Sequence, residues 1–265
     1  MSETLFDQRG RLLPTQSERV YDRVNRGYFS LEQPSINFNE IYARLSKHLN
    51  NTSIEISATE FEAIASRLWN KITSESYGEN LTNAVHVPFI VPKIKSIKEP
   101  FRNLEDWIPA LHASYAEAYP NFEFKNLVTA VQTQELKISK FSRYESLVER
   151  ASQRDLVGWY FPNVMSGYAV PDHRTLMERL PDEFVLSGPL ETTTSLIGTP
   201  SLLMKNDGKY PNLLCLSSVE PDKDNEKHFF YFYEAYGWNL NFNRRSMIGA
   251  VSEYYAGGLT ILSDS

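Results

Sequence analysis

The stretch His228-Phe229-Phe230-Tyr231-Phe232-Tyr233-Glu234-Ala235-Tyr236-Gly237-Trp238-Asn239-Leu240-Asn241-Phe242-Asn243-Arg244-Arg245 decides the class of fold. Eight of the fourteen residues from 229 to 242 are aromatic, against 13% in the whole chain, so the excess is local. Read as a strand, it sends alternate side chains to opposite sides, with Phe229, Tyr231 and Tyr233 on one and Phe230, Phe232 and Tyr236 on the other. Both faces are then apolar or amphipathic, which fits a core strand covered on both sides. Gly237 falls near the turn into a hairpin partner, Trp238 to Phe242.

The same β character reaches back to about Leu156. Candidate strands run from Leu156 to Phe161, Glu183 to Ser187, Leu213 to Ser218, Lys227 to Tyr236, Trp238 to Phe242 and Leu259 to Leu262. A helix starting near Gly188-Pro189-Leu190-Glu191 interrupts them, since proline suits a first turn and glutamate meets the free amides there. Gly198-Thr199-Pro200 closes that helix, and Ala256-Gly257-Gly258-Leu259 reads as a turn into the last strand.

Before residue 155 the periodicity is mainly helical. Ser57-Ala58-Thr59-Glu60 is a capping box, followed at helical spacing by Phe61, Ile64, Ala65, Leu68, Trp69 and Ile72. Asn37-Phe38-Asn39-Glu40 opens a shorter helix with Ile41, Leu45 and Leu49 inward, and the two form a helical pair. Asp106 is placed to cap a third helix, through Trp107, Ile108, Leu111 and Tyr115, with Pro109 in its first turn. Ser142-Arg143-Tyr144-Glu145 is a further capping pattern, while Val128 to Phe141 looks extended. Ala84 to Val91 reads as a strand whose Pro88 lacks a ladder donor and suggests a sheet edge.

Irregular alternation of helix and strand, ending in hairpin-like strands, predicts an α+β fold: a helical N-terminal half packed with a mainly antiparallel or mixed sheet. With no repeat and no Gly/Ser linker, residues 1–265 read as one compact domain, with a subdivision near 155 into helix-rich 1–155 and strand-rich 156–265 as the alternative.

A hydrophobic fraction of 42% and a charged fraction of 23% are ordinary for a globular chain. The single cysteine, Cys215, forms no internal disulfide and fits a reducing, cytoplasmic setting. Glu3, Asp7, Arg9 and Arg11 break up the first residues, so no signal-peptide core is expected, and no apolar run suggests a membrane span. The formal net charge of −6 predicts solubility and weighs against broad nucleic-acid binding, although a local basic patch is compatible with it.

Residues able to carry chemistry are few. Gly158 to Arg174 mixes turn residues with Trp159, Tyr168 and the polar series Asp172, His173 and Arg174, which suits a pocket wall. The simpler account makes Asp172 the cap of a short helix carrying Leu176, Met177 and Leu180. Cys215 lies in the apolar run Leu213-Leu214-Cys215-Leu216 and reads as buried filler rather than a nucleophile. The five histidines, at 48, 86, 112, 173 and 228, are too scattered for a metal motif, and no phosphate-cradling glycine loop occurs. No cofactor and no metal are expected.

Aromatic surface without a catalytic pattern favours a non-catalytic cytoplasmic binding or regulatory protein acting through a protein or small-ligand contact. Its expected contact residues are Trp159, Tyr168, Trp238, Arg244 and Arg245. The rival from another class is a cytosolic enzyme with a site assembled from Asp172, His173, Glu191 and His228. A third reading is single-stranded nucleic-acid binding through Tyr231, Tyr233, Trp238, Arg244 and Arg245. The acidic loop Asp222 to Glu226 disfavours it. Oligomeric state is not legible.

Overall fold

The computed structural model of the chain describes residues 4–15, 18–21, 31–49, 52–203, 213–236, 239–246 and 248–264. Its helices are α1 (Phe38–His48), α2 (Ala58–Ser74), α3 (Gly78–Leu81), α4 (Leu104–Ala118), α5 (Ala130–Gln134), α6 (Tyr144–Gln153), α7 (Val170–Leu176) and α8 (Pro189–Gly198). Its strands are β1 (Val87–Val91), β2 (Phe124–Asn126), β3 (Leu136–Ile138), β4 (Leu156–Ser166), β5 (Phe184–Leu186), β6 (Leu213–Cys215), β7 (Val219–Pro221), β8 (Phe230–Tyr236), β9 (Asn239–Arg245) and β10 (Tyr255–Leu262). Helices dominate the first half and strands the second, which makes this an α+β protein. Among the described residues no helix is long and apolar enough to cross a membrane.

The predicted caps of α1 and α2 form. The Asn37 side chain accepts from the Glu40 amide at the head of α1. At α2, Ser57 Oγ accepts from the Glu60 amide while the Glu60 carboxylate accepts from the Ser57 amide at 2.7 Å. Phe61, Ala65, Leu68 and Ile72 then face the core, with Ile64 and Trp69 on its margin. Leu68→Ala is expected to destabilise the protein by about 2–5 kcal/mol through lost burial and a cavity. Glu62→Ala on the exposed side stays near neutral, and urea unfolding of both variants checks the contrast.

The main sheet runs β1-β4-β10-β6-β8-β9-β2, and β5 joins the edge of β10 that β6 leaves uncovered. It is mixed: β10 pairs parallel with β6, β9 pairs parallel with β2, and the other pairings are antiparallel. β3 and β7 form a separate two-stranded ribbon. β1 lies at the sheet edge, as Pro88 suggested, yet all five of its residues are buried because α1 and α8 pack over it. α8 is itself buried on every side, between the sheet, α1 and α4. Its hydroxyls tolerate that position by bonding along the helix: Thr193 Oγ1 donates to the Pro189 carbonyl and Thr194 Oγ1 to the Glu191 carbonyl.

β8 divides the apolar interior as its alternation dictates. Tyr231 and Tyr233 belong to the large cluster that runs from Phe6 to Leu262, whereas Phe230 and Phe232 join Val170, Leu213, Cys215 and Tyr255 on the opposite face. Tyr236, at the end of the second face, is exposed.

Several local expectations change. Val128 to Phe141 is not extended throughout: Thr129 and Gln132 form a capping box that opens α5, an alternative the apolar pattern hid. α4 begins at Leu104 because a 3-10 turn, Pro100–Asn103, feeds directly into it, so Asp106 caps nothing and Pro109 lies inside the helix. Ser142 does not cap α6 as a box; its hydroxyl accepts from the Tyr144 amide and donates to the Ser139 carbonyl. Gly257 and Gly258 are not a turn before β10 but a bulge inside it. A side chain at Gly257 would strike the His173 ring, and one at Gly258 would strike Tyr160 and Ser187.

Candidate functional site

Three loops and one helix start converge behind the sheet and bury an unusual density of polar groups. Ser139 and Ser142 precede α6, Ser187 precedes α8, and Ser217 and Ser218 follow β6; all five serines are buried. They are tied by backbone bonds, from the Ser139 amide to the Ser218 carbonyl at 2.8 Å and from the Ser218 amide to the Ser187 carbonyl at 3.1 Å. Gly188 is required at the centre, because a Cβ there would lie 2.1 Å from Ser218 Oγ and 2.5 Å from the Tyr144 ring.

Glu191 sits in this knot, fully buried in the first turn of α8. Tyr144 donates its hydroxyl to Glu191 Oε2 at 2.6 Å and accepts the Leu190 amide at 3.0 Å, and the Gly188 amide donates to Glu191 Oε1. Burial lifts the Glu191 carboxyl to about 7 against the opposing pull of these hydrogen bonds. Burial and the adjacent carboxylate push the Tyr144 phenol well above its usual range.

His173 reaches the same knot from α7. Its Nδ1 lies 2.6 Å from Ser217 Oγ, while Nε2 has no hydrogen-bond partner of normal geometry. Burial, helped by neighbouring Arg174, depresses the imidazole to about 3, so the ring is neutral at ordinary pH. A serine hydroxyl on a neutral imidazole is the contact that nucleophilic catalysis begins from. Here it is enclosed: both residues are fully buried, and among the described residues no carboxylate is hydrogen-bonded to the ring.

The fold therefore brings His173 and Glu191 to one cluster and leaves the other two expected catalytic residues outside it. Asp172, in the first turn of α7, does not cap that helix; its carboxylate faces Arg19 at 3.8 Å, because adjacent helical side chains diverge. His228 is exposed and packs on the Phe229 ring.

The expected contact residues also separate. Trp159 is buried against Trp69 and donates Nε1 to the Ala65 carbonyl at 2.8 Å, and Tyr168 is buried with its hydroxyl on the Leu12 carbonyl. Neither lines an open wall; both are core anchors, because β4 is covered by α2 and by the N-terminal segment. Trp238 lies outside the described residues. Arg244 and Arg245, adjacent on β9, point to opposite faces of the sheet. Arg244 lies over Phe229 and pairs with Glu226, whereas Arg245 lies over Phe232 and Tyr254. Tyr231 and Tyr233, proposed as stacking surfaces, are buried. Strand alternation thus prevents the single aromatic and basic platform that the sequence suggested.

Cys215 is buried on β6 and its thiol is pushed up to about 12 by burial. Native protein is expected to react with a thiol reagent far more slowly than urea-unfolded protein. Equal rates would place the sulfur at the surface.

Among the described residues, two open concavities lie elsewhere. A cavity of about 320 Å³ is lined by Lys98, Glu99, Pro100, Phe101, Arg102, Gln134 and Leu136, between the 3-10 turn before α4 and the α5–β3 segment. A smaller one of about 200 Å³ opens among α1, α4 and the end of α8, near Arg44, Tyr119 and Thr199. Sequence reading passed over the larger cavity, although Lys93, Lys95, Lys98 and Arg102 against Glu99 make a local basic excess in an acidic chain. Among the described residues, no group of three or more His, Cys, Asp or Glu side chains is placed to hold a metal ion. No protein-family model, curated protein or solved structure is detectably similar to the chain.

Proposed function

We propose that the chain is a non-catalytic binding or regulatory protein of the cytoplasm, acting through contact with a small ligand. The observation that carries this reading is the 320 Å³ cavity beside α4 and α5, which falls in the range of ligand sites and is lined by none of His173, Ser217 or Glu191. His173, Ser217 and Glu191 are enclosed in the interior, where their polar atoms meet protein groups. A reducing compartment is supported by the lone, buried thiol.

A thermal-shift screen of the full chain against a library of small metabolites tests the reading. At least one compound is expected to raise the melting temperature in a concentration-dependent way and to be recovered unchanged by mass spectrometry. Conversion of that compound into a product would overturn the non-catalytic half. A library with no stabilising member at millimolar concentration would overturn the small-ligand half in favour of a protein contact.

A further inference from the structure

We infer that the cavity between the Pro100–Asn103 turn and α5 takes a small organic oxyanion, a carboxylate or phosphate carried on a flat apolar body. The inference rests on the small-ligand reading above and adds the site and the chemical class. Its first support is charge. The lining holds two cations, Lys98 and Arg102, against one carboxylate, Glu99, in a protein whose net charge is −6. The ligand-facing excess is thus opposite in sign to the molecule.

The second support is the availability of those cations. Lys95, close by in sequence, is held by Asp106 at 3.1 Å. The Lys98 ammonium has no carboxylate within ion-pair distance among the described residues. Arg102 pairs with Glu99 at 3.1 Å, but both side chains are about two-thirds exposed, so water screens the pair and an incoming oxyanion competes for the guanidinium. One point charge and one planar fork suit an oxyanion with two or three acceptor atoms.

The third support is the floor. Phe101 and Leu136 are buried and Pro100 half-buried, so they offer only narrow ring and methyl edges rather than a deep slot. The open space, about 320 Å³, suits a single small group whose flat face lies on these edges. Gln134 closes the rim, its Nε2 donating to Glu105 at 2.6 Å, so the side-chain oxygen is the acceptor left for a ligand hydroxyl. A compound this small, on so shallow a floor, binds with a Kd on the order of 1 mM.

Amide-resolved NMR titrations of the full chain with phenyl phosphate, benzoate, inorganic phosphate and benzylamine test the inference. Saturable shifts centred on residues 98–102 and 134–136 are expected with phenyl phosphate or benzoate. Whichever is tighter identifies phosphate or carboxylate as the natural group. The double change Lys98→Gln with Arg102→Gln is expected to raise Kd at least tenfold. Gln134→Trp, at an exposed rim position, should block the mouth while leaving the charges. Benzylamine binding as well as benzoate would overturn the anion assignment, and inorganic phosphate binding as tightly as phenyl phosphate would overturn the apolar half. An unchanged Kd in both variants would move the site elsewhere. If none of the four probes binds but a metabolite from the thermal-shift screen does, this inference fails while the binding function stands; if no compound binds at all, both fail.

Discussion

Replacing Glu191 with Gln is expected to change strongly how stability depends on pH between about 4.5 and 7. The Glu191 carboxyl titrates near 7 in the folded protein and near 4.5 when unfolded, because burial disfavours its charge. Between those values the native state holds a proton that the unfolded chain has released, so stability falls as pH rises through this window. The contribution is fully present below pH 4.5 and lost above pH 7, and amounts to about 3 kcal/mol at 1.36 kcal/mol per pH unit. His173 acts in the opposite direction. Its folded value near 3 lies below the ordinary 6.5, so its contribution is present above pH 6.5 and lost as pH falls towards 3.

The two slopes oppose each other between about pH 4.5 and 6.5. The pair therefore holds the wild-type stability level across a range in which either group alone would tilt it. Urea unfolding of Glu191→Gln and wild type across pH 4.5 to 7 isolates one half of the pair, since every other titrating group cancels in the difference. The stability of the variant relative to wild type should climb by about 3 kcal/mol from the acid to the neutral end. A flat difference would mean that Glu191 is already ionised in the folded protein at pH 4.5, and that the knot behind the sheet is hydrated rather than closed.

The parts of this architecture that were legible in the sequence are those fixed by local chemistry. The Ser57 and Asn37 caps, the apolar stripe of α2, the proline start of α8 and the two-sided burial of β8 each follow from residues within one or two turns or one strand. The site was not legible because it depends on which loops meet. Ser217 contacts His173 across 44 residues of sequence, and Tyr144 contacts Glu191 across 47. Neither separation is marked by a motif. Arg244 and Arg245 illustrate the converse error. The sequence put both in one set of contact residues at the end of the aromatic strand, but a strand sends them to opposite faces. The cavity residues Phe101 and Leu136 come from a 3-10 turn and a three-residue strand, elements too short to leave a periodic signal.

Arg143→Ala is expected to cost about 2–4 kcal/mol, a large effect for a side chain that is a quarter exposed. Its guanidinium gathers four backbone carbonyls from the segment between α7 and β5: Nη2 donates to Met177 at 2.8 Å and Leu180 at 3.0 Å, and Nη1 to Pro181 at 2.5 Å and Phe184 at 3.3 Å. The nearby Asp182 adds little, since it is fully exposed. The grip is strong enough to hold Arg143 at φ 58, in the left-handed region that side chains with a Cβ avoid. Two further variants separate grip from backbone. Arg143→Lys keeps the charge but not the fork, so it should recover less than half of the loss. Arg143→Gly gives up the grip but accepts the left-handed turn, and should exceed Arg143→Ala in stability by about 1 kcal/mol. Because Tyr144 is the next residue, loosening this turn also loosens the hydroxyl that stabilises the charged form of Glu191. Losing that bond raises the folded carboxyl further, so the pH-dependent difference between wild type and Glu191→Gln should grow, extending above pH 7, when it is measured in the Arg143→Ala background. If Arg143→Ala leaves both stability and that difference unchanged, the four carbonyls are served by water, and the turn is held by Ser142 and its bonds to Ser139 and Leu186 alone.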